Sequence, residues 1–257
     1  MEQNMPNWDS ELYLRFKKER GQPSLDLISR LTGDFKNILD LGSGPGNSTQ
    51  NLCTRFPNAQ ILGVDADENM LEKARSEHPD LDFKKAFLPD GLDSLGRFDL
   101  IFSNACIHWI SDQNALIQKV GEHLENGGVF AVQIPLTDES PFYKILYEII
   151  AEKDFVSVSK IRNFHNFDEF GYYNALSKHF SSVQIWKTYY HHIVGSVSDI
   201  ISWYKGSGLR PYLEALDENG QKNLIARLEE KITENYTRLC DGNYFLVMPR
   251  LFFVAKK

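Results

Sequence analysis

The stretch Ile38–Thr49, ILDLGSGPGNST, joins a short apolar run to a loop that holds three glycines in five residues. A buried strand followed by a glycine-rich turn and a helix is typical of ligand binding at the carboxyl edge of a parallel sheet. Glycine suits this turn because the backbone bends sharply and a ligand approaches it closely. The glycines stand at 42, 44 and 46, whereas a dinucleotide loop would place its third glycine at position 47, which is Asn47 here. No lysine follows in a phosphate-loop pattern, so a nucleoside triphosphate is also disfavoured.

Strands and helices alternate on both sides of this loop. Apolar strands are predicted at NILDL, QILGVD, LDFKKA, FDLIFSN and VFAVQI, and helices between them at NSTQNLCTRF, ENMLEKARSE and QNALIQKVGEHL. Strands separated by helices of this length predict parallel crossover connections and a three-layer, doubly wound α/β fold. The apolar character of the strands fits a sheet that is covered on both faces.

The two ends of the chain depart from this alternation. Helical spacing predicts one helix from Trp8 and a second that starts at Pro23. After Pro135 the pattern predicts further helices and a long strand, SVQIWKTYYHHIV. The terminal stretch YFLVMPRLFFVAKK predicts a strand broken by Pro249, at a bulge or a sheet edge.

Composition narrows the class of protein. The chain has 257 residues, of which 42% are hydrophobic and 25% charged, as expected for one large globular domain, or for one domain with an inserted or appended lobe. The net charge of -7, with no basic stripe, disfavours a nucleic-acid partner. The three cysteines lie far apart without a Cys-x-x-Cys pair, which disfavours a disulfide framework or a metal site. With no signal-like N-terminus and no membrane-length apolar run, we expect a cytoplasmic protein without a membrane partner. The sequence leaves the oligomeric state open.

A second marker follows the glycine loop. Asp65 ends the second strand, about 20 residues on, where an acidic side chain can accept hydrogen bonds from both hydroxyls of a ribose. Together, ILDLGSGPGN and GVDADENMLEKAR resemble the first motifs of class I S-adenosylmethionine-dependent methyltransferases. The resemblance implies a seven-stranded, mostly parallel sheet whose last strand is antiparallel. It also implies cofactor contacts from the following residues: Asp40, Gly42, Ser43, Gly44 and Gly46 at the amino-acid end, Asp65 at the ribose, and Ala66 and Met70 near the adenine.

Two positions depart from the common pattern of that class. After the third strand, where an acidic residue usually meets the adenine, the chain reads KKAFLPDG; Phe87 stacking on the ring and Asp90 reaching it are both open. After the fourth strand, Asn104 lies beside the expected methyl group, but no Asn/Asp-Pro-Pro-aromatic motif follows. An amide or exocyclic base nitrogen is therefore disfavoured as the methyl acceptor.

A more specific resemblance extends over nearly the whole chain. NWDSELYLRFKKERGQPSLDLI, FSNACIHWISD, IWKTYYHHIVGS, SGLRPYLEAL and MPRLFFVAKK are similar to the trans-aconitate 2-methyltransferase family. That family implies methyl transfer to a carboxylate of a small tricarboxylic acid, a reaction for which no catalytic residue is required because a carboxylate is already ionised at neutral pH. It also implies N-terminal helices over residues 1–32, a core of residues 33–195 and 239–257, and a helical lid over residues 196–238.

The acceptor would be an anion with several carboxylates. Arginine can grip a carboxylate through two hydrogen bonds, which makes Arg210 in SGLRPYL the first candidate and Arg20 the second. Further candidates are the aromatic and imidazole side chains of His108, Trp109, Tyr190, His192 and Tyr212, where strand alternation places Tyr190 and His192 on one face.

Three alternatives stay open on the sequence alone. The same fold could methylate a carrier-bound or fatty acid carboxylate, which would need an apolar tunnel. An NAD-dependent oxidoreductase is disfavoured by Asn47. A non-catalytic cofactor-binding module remains compatible, because this chemistry leaves no obligatory catalytic residue to find missing.

Overall fold

A computed structural model describes residues 17–161 and 164–257 of the chain, with side chains from residue 21 onward. The first predicted helix, from Trp8, and the side chain of Arg20 lie outside that part. The described chain divides into two compact units. We call residues 21–135, 164–188 and 250–257 the sheet unit, and the described residues of 17–20, 136–161 and 189–249 the helical unit.

The sheet has seven strands in the order β3-β2-β1-β4-β5-β7-β6, which is the doubly wound arrangement that the alternation predicts. The strands are β1 (Asn37–Leu41), β2 (Gln60–Asp65), β3 (Asp82–Lys85), β4 (Phe98–Asn104), β5 (Leu124–Pro135), β6 (Ser182–Val194) and β7 (Tyr244–Lys256). The pairs from β3 through β5 are parallel, and β7 runs antiparallel to β5. The predicted fold class, including its antiparallel last strand, is therefore confirmed.

Helices connect these strands in the expected places. They are α1 (Lys17–Ser29), α2 (Asn47–Arg55), α3 (Glu68–Glu77), α4 (Gln113–His123), α5 (Pro141–Ile150), α6 (Glu169–Leu176), α7 (Val197–Lys205), α8 (Arg210–Glu214) and α9 (Glu218–Asn235). The apolar strands are covered as predicted: Ile38, Leu39, Leu100 and Ile101 have no exposed surface. No helix in the described ranges is long and apolar enough to cross a membrane.

Two predicted details are wrong, and both concern proline. No new helix starts at Pro23, because α1 continues through it. Pro249 does not break the last strand or mark an edge: β7 is continuous and lies between β5 and β6. The ladder between β5 and β7 ends with Pro135 opposite Arg250, so Pro249 lies one residue beyond that pairing and accepts a bond from Leu136 N at 3.0 Å. Because proline has no N–H, Pro249 returns no hydrogen bond to Leu136 O, and the β5 ladder ends beside this residue.

The helical unit is larger than the predicted lid. Residues 196–238 contain α7, α8 and α9, but the same unit also includes α5 and the ends of β6 and β7. Its aromatic core includes Phe142 stacked on Tyr204 at 3.6 Å between ring centroids. Tyr204 donates to Met248 Sδ at 3.3 Å, which ties α7 to β7 within this unit.

Candidate functional site

The glycine loop follows β1 in the sheet unit and is tied to the next strand. Gly42, Gly44 and Gly46 have positive φ of 72°, 53° and 87°. The N–H groups of Gly42 and Ser43 both donate to Val64 O, at 2.8 and 2.9 Å. The left-handed backbone explains why glycine occurs at all three positions.

The three glycines meet different surroundings. A Cβ on Gly42 would lie 2.2 Å from Cys106 Sγ, and one on Gly46 would lie 2.7 Å from His78 Cδ2. A Cβ on Gly44 would meet no atom within 4 Å. Gly42 and Gly46 are therefore needed for packing, whereas Gly44 faces open space that a ligand can enter.

Asp40 anchors the loop to the helix that follows it. Its side chain is fully buried, and its Oδ2 accepts hydrogen bonds from Ser48 Oγ and Thr49 Oγ1, both at 2.7 Å. Its other oxygen, Oδ1, is buried without a hydrogen-bond partner among the described residues. Burial raises the pKa of Asp40 to about 6, against the lowering effect of the two hydroxyls, and the nearby Asp65 raises it further.

Asp65 joins the two ligand-binding motifs that the sequence identified. Its Oδ2 accepts from Gly44 N and its Oδ1 from Asp67 N, each at 2.9 Å. A carboxylate has about four acceptor sites, so these bonds leave room for ribose hydroxyls. Burial raises the pKa of Asp65, and the two backbone N–H groups oppose that effect. Ala66 and Met70, at the entry to α3 and in its first turn, are half-buried.

The segment after β3 is the most exposed part of the predicted site. Phe87 is 63% exposed, and its ring lies 5.5 Å from Lys85 Nζ. Asp90 begins a short 3₁₀ helix and is also exposed. An exposed ring is available for stacking on a base.

Polar side chains lie next to each other where β4 and β5 end. Asn104 is paired with Gln133 across these strands, and Ala105, with φ of 52°, donates its N–H to Gln133 O at 2.8 Å. Asn104 Oδ1 and Gln133 Nε2 are both buried with no hydrogen-bond partner in the described part of the chain. Gln133 is only 1% exposed, and the sequence interpretation missed it. A lone amide near the carboxyl end of the apolar run VFAVQI was the available signal.

His108 and Trp109 occupy a 3₁₀ turn after β4. The His108 ring lies 5.1 Å from the rings of both Trp109 and Phe164, and Trp109 is 41% exposed. The peptide oxygen of His108 accepts from His165 N at 2.8 Å. His108 is 3% exposed, and its Nδ1 has no partner in the described ranges. Burial, and then the charge of Arg250, lower the pKa of His108 to about 3, so its imidazole is neutral near pH 7.

The remaining predicted residues belong to the helical unit. Tyr190 and His192 share one face of β6, with parallel rings 6.3 Å apart, as alternation predicts. Arg210 Nε forms an ion pair with Glu214 Oε1 at 2.6 Å. Tyr212 is 1% exposed, and its hydroxyl donates to Ile161 O at 3.1 Å. Burial raises the pKa of Tyr212, so its hydroxyl is protonated and can serve as a donor.

The described site fits a bound nucleotide-like cation better than an anion. Asp40 is buried and Asp65 is half-buried at the glycine loop, and the buried carboxylate of Asp40 would repel a pyrophosphate there. Five buried polar atoms without a described partner lie near this edge: Asp40 Oδ1, Ser43 Oγ, Asn104 Oδ1, His108 Nδ1 and Gln133 Nε2. Buried polar groups are normally hydrogen-bonded, so such a cluster indicates a ligand or water site. Among the described residues, no cluster of His, Cys, Asp and Glu could hold a metal ion.

Comparison with solved structures agrees with this fold. The YcgJ protein from Bacillus subtilis superposes with a TM-score of 0.60 at 17% identity, covering 92% of this chain and 98% of that one. Phosphoethanolamine N-methyltransferase 2 from Haemonchus contortus, in complex with S-adenosyl-L-methionine, gives a TM-score of 0.53 at 18% identity, covering 92% of this chain and 52% of that one.

Comparison of sequences is more specific. Residues 39–130 match a family described as methyltransferase domain. A trans-aconitate 2-methyltransferase of Agrobacterium fabrum is 37% identical over 97% of this chain and 99% of its own length. The protein of the same name from Methylobacterium nodulans is 35% identical over 98% and 99%.

Fold, loop and comparisons define a class I methyltransferase whose cofactor is S-adenosylmethionine. Within that class, the sequence similarity over nearly the full length identifies the family. The chain belongs to the trans-aconitate 2-methyltransferase family.

Proposed function

We propose that this chain transfers a methyl group from S-adenosylmethionine to a carboxylate of trans-aconitate, which gives a monomethyl ester. The observation that carries the proposal is the similarity, at 35% and 37% identity over nearly the full length, to two proteins of that name. The buried, polar surroundings of His108 and Gln133 support a small polar acceptor over an acyl chain.

The chemistry is compatible with the side chains at the site. A carboxylate has a pKa of about 4, so it is ionised at neutral pH and needs no general base. S-Adenosylmethionine, when bound, supplies an electrophilic methyl group. His108, with a pKa near 3, is a poor base and acts as a neutral hydrogen-bonding group. The protein then accelerates the reaction by aligning the reactants and excluding water.

We assign the cofactor to the glycine loop and the strand ends beside it. Gly44 lets a ligand approach the backbone of the loop, because a Cβ there would meet no atom within 4 Å. Asp40 Oδ1, which has no partner among the described residues, is available to the cationic amino-acid end, and Asp65 to the ribose. The full proposed set is Asp40, Gly42, Ser43, Gly44, Gly46, Asp65, Ala66, Met70, Phe87 and Asn104.

We propose acceptor-binding roles for the residues that the sequence indicates, each considered within its own unit. His108 and Trp109 belong to the sheet unit, and Tyr190, His192, Arg210 and Tyr212 to the helical unit. Arg20 completes the set from the sequence. A helical lid of residues 196–238 and N-terminal helices in residues 1–32 belong to the same proposal. We also propose a cytoplasmic location, which the three free cysteines support.

A methyl-transfer assay tests this function. The purified chain is incubated with labelled S-adenosylmethionine and a panel of tri-, di- and monocarboxylates that includes trans-aconitate and a long-chain fatty acid. We expect turnover of trans-aconitate with formation of a monomethyl ester. Turnover of the long-chain acid alone would replace the proposed acceptor with an acyl substrate.

A thermal-shift comparison tests the cofactor separately. A ligand at 100 times its dissociation constant adds about 2.7 kcal/mol of stability. Stabilisation by S-adenosylmethionine and its demethylated product is expected. Stabilisation by NAD alone would contradict the cofactor assignment.

A further inference from the structure

The register of three neighbouring strands places three polar residues on one face of the sheet. Asn104 is opposite Gln133 in the parallel pair β4–β5, and Gln133 is opposite Phe252 in the antiparallel pair β5–β7. Arg250 is opposite Pro135, two residues along from Gln133. Because side chains alternate along a strand, Asn104, Gln133 and Arg250 point to the same face.

The spacing of this group suits a small ligand. Neighbouring strands lie about 4.8 Å apart, and residues two apart on a strand are separated by about 7 Å. Asp40 lies on this same face, since it is opposite Phe102 on β4. The proposed cofactor residues and Arg250 are therefore at the same edge of the sheet.

Two polar nitrogen atoms near this group are deeply buried. Gln133 is 1% exposed and its amide nitrogen has no partner within the described residues. His108 is 3% exposed, and its Nδ1 likewise has none there. An unsatisfied buried polar group is costly, which indicates that a ligand completes the hydrogen bonding.

Arg250 supplies positive charge to the same surroundings. Its guanidinium is close enough to His108 to lower the pKa of that imidazole. The family motif MPRLFFVAKK contains Arg250, but the sequence alone did not indicate which strand it faces. A guanidinium can donate two parallel hydrogen bonds to one carboxylate.

We propose that Arg250 and Gln133, together with His108, form a carboxylate-binding subsite of the sheet unit that holds a carboxylate of the acceptor other than the one methylated. This inference rests on the proposed function. It adds two residues, Arg250 and Gln133, that neither the resemblance nor the loop motif identified.

Variants of the two residues test the subsite. Arg250→Gln removes the charge, Arg250→Lys keeps the charge but loses the planar fork, and Gln133→Met removes the amide at similar size. Arg55→Gln is the matched control, because it removes an exposed arginine that lies over Phe56 at the end of α2. For each protein, KM and kcat are measured with trans-aconitate. The dissociation constant of S-adenosylhomocysteine is measured by calorimetry.

We expect KM to rise at least tenfold in Arg250→Gln and several-fold in Gln133→Met, with Arg250→Lys intermediate. The dissociation constant of S-adenosylhomocysteine should stay within about twofold of wild type, and Arg55→Gln should change neither quantity. Unchanged KM values in Arg250→Gln and Gln133→Met would overturn the subsite.

A substrate comparison guards against partial unfolding. The ratio of kcat/KM for trans-aconitate to that for a dicarboxylate lacking the gripped carboxylate is independent of the active fraction. This ratio should collapse in Arg250→Gln, and an unchanged ratio for every such dicarboxylate would overturn the subsite. If wild type neither methylates nor binds any polycarboxylate in calorimetry, the proposed function fails as well. If the wild-type protein is active and the variants behave as it does, the subsite fails but the proposed function stands.

Discussion

Replacing Gly42 and Gly44 separately by alanine should separate folding from cofactor binding. Both residues have positive φ, which costs a residue with a Cβ about 1–2 kcal/mol. At Gly42 the new Cβ would also lie 2.2 Å from Cys106 Sγ and 2.3 Å from Cys106 Cβ. Overpacking of that kind costs a further 1–3 kcal/mol or so. Gly42→Ala should therefore lose roughly 2–5 kcal/mol of unfolding free energy, and Gly44→Ala only about 1–2 kcal/mol.

Ligand binding should show a different pattern. The methyl group of Gly44→Ala would stand in the open space assigned to the cofactor, so we expect S-adenosylhomocysteine to bind at least tenfold more weakly, or about 1.4 kcal/mol. Urea unfolding and calorimetry on the same preparations measure the two effects.

A second-site variant controls for the clash. Adding Cys106→Gly to Gly42→Ala removes both overlapping atoms and leaves the Cα of residue 106 at 3.6 Å, so stability should recover except for the φ cost. If Gly42→Ala is no less stable than Gly44→Ala, or if Cys106→Gly restores nothing, the packing role of Gly42 is refuted.

Three further changes have defined outcomes. Asp40→Asn should raise the unfolding free energy at pH 7.5 by up to about 3 kcal/mol, since a folded pKa near 6 against 3.8 makes ionisation unfavourable to folding. This gain should shrink as pH falls through 6 and vanish below 3.8, and a gap that persists at pH 3 would contradict the burial explanation. Tyr172→Phe removes the bond to Gln113 Oε1 and should cost about 1–3 kcal/mol in urea unfolding, whereas the exposed Tyr173→Phe should cost almost nothing. Arg210→Ala should raise KM for trans-aconitate and lower stability by about 1 kcal/mol or less; an unchanged KM removes this arginine from the acceptor site.

Local pattern was sufficient to predict the central sheet. Apolar runs such as Ile38–Leu41 and the helices between them are local signals, and covering both faces of the sheet favours such continuous runs. Pro249 was misread because its effect depends on where the β5 ladder stops, and Pro23 because α1 tolerates it. Neither fact is encoded near the proline itself.

The candidate site divides in the same way. The glycine loop and Asp65 each belong to a local sequence motif. The bond from Gly44 N to Asp65 Oδ2 therefore joins two features that sequence alone could identify. Gln133 and Arg250 were missed because strand register, rather than spacing along the chain, brings them to one edge. The contact of Gly42 with Cys106 is likewise a tertiary one.

Charge provides an independent reason for the cofactor. Asp40 is completely buried and its pKa is raised to about 6, so near pH 7 it is held ionised at a cost to folding. Asp65 lies close enough to raise that pKa further, and each makes the other less favourable as an anion. An acidic residue in the position of Asp65 occurs with both kinds of ligand. The buried carboxylate of Asp40, however, is better tolerated where a cation binds, and S-adenosylmethionine carries both a sulfonium and an ammonium group, whereas a dinucleotide carries a pyrophosphate. The glycine spacing and the buried charge of Asp40 thus favour the same ligand for unrelated physical reasons, one steric and one electrostatic. The acceptor, an anion, requires the opposite sign, and on the sheet unit Arg250 supplies it at the same edge.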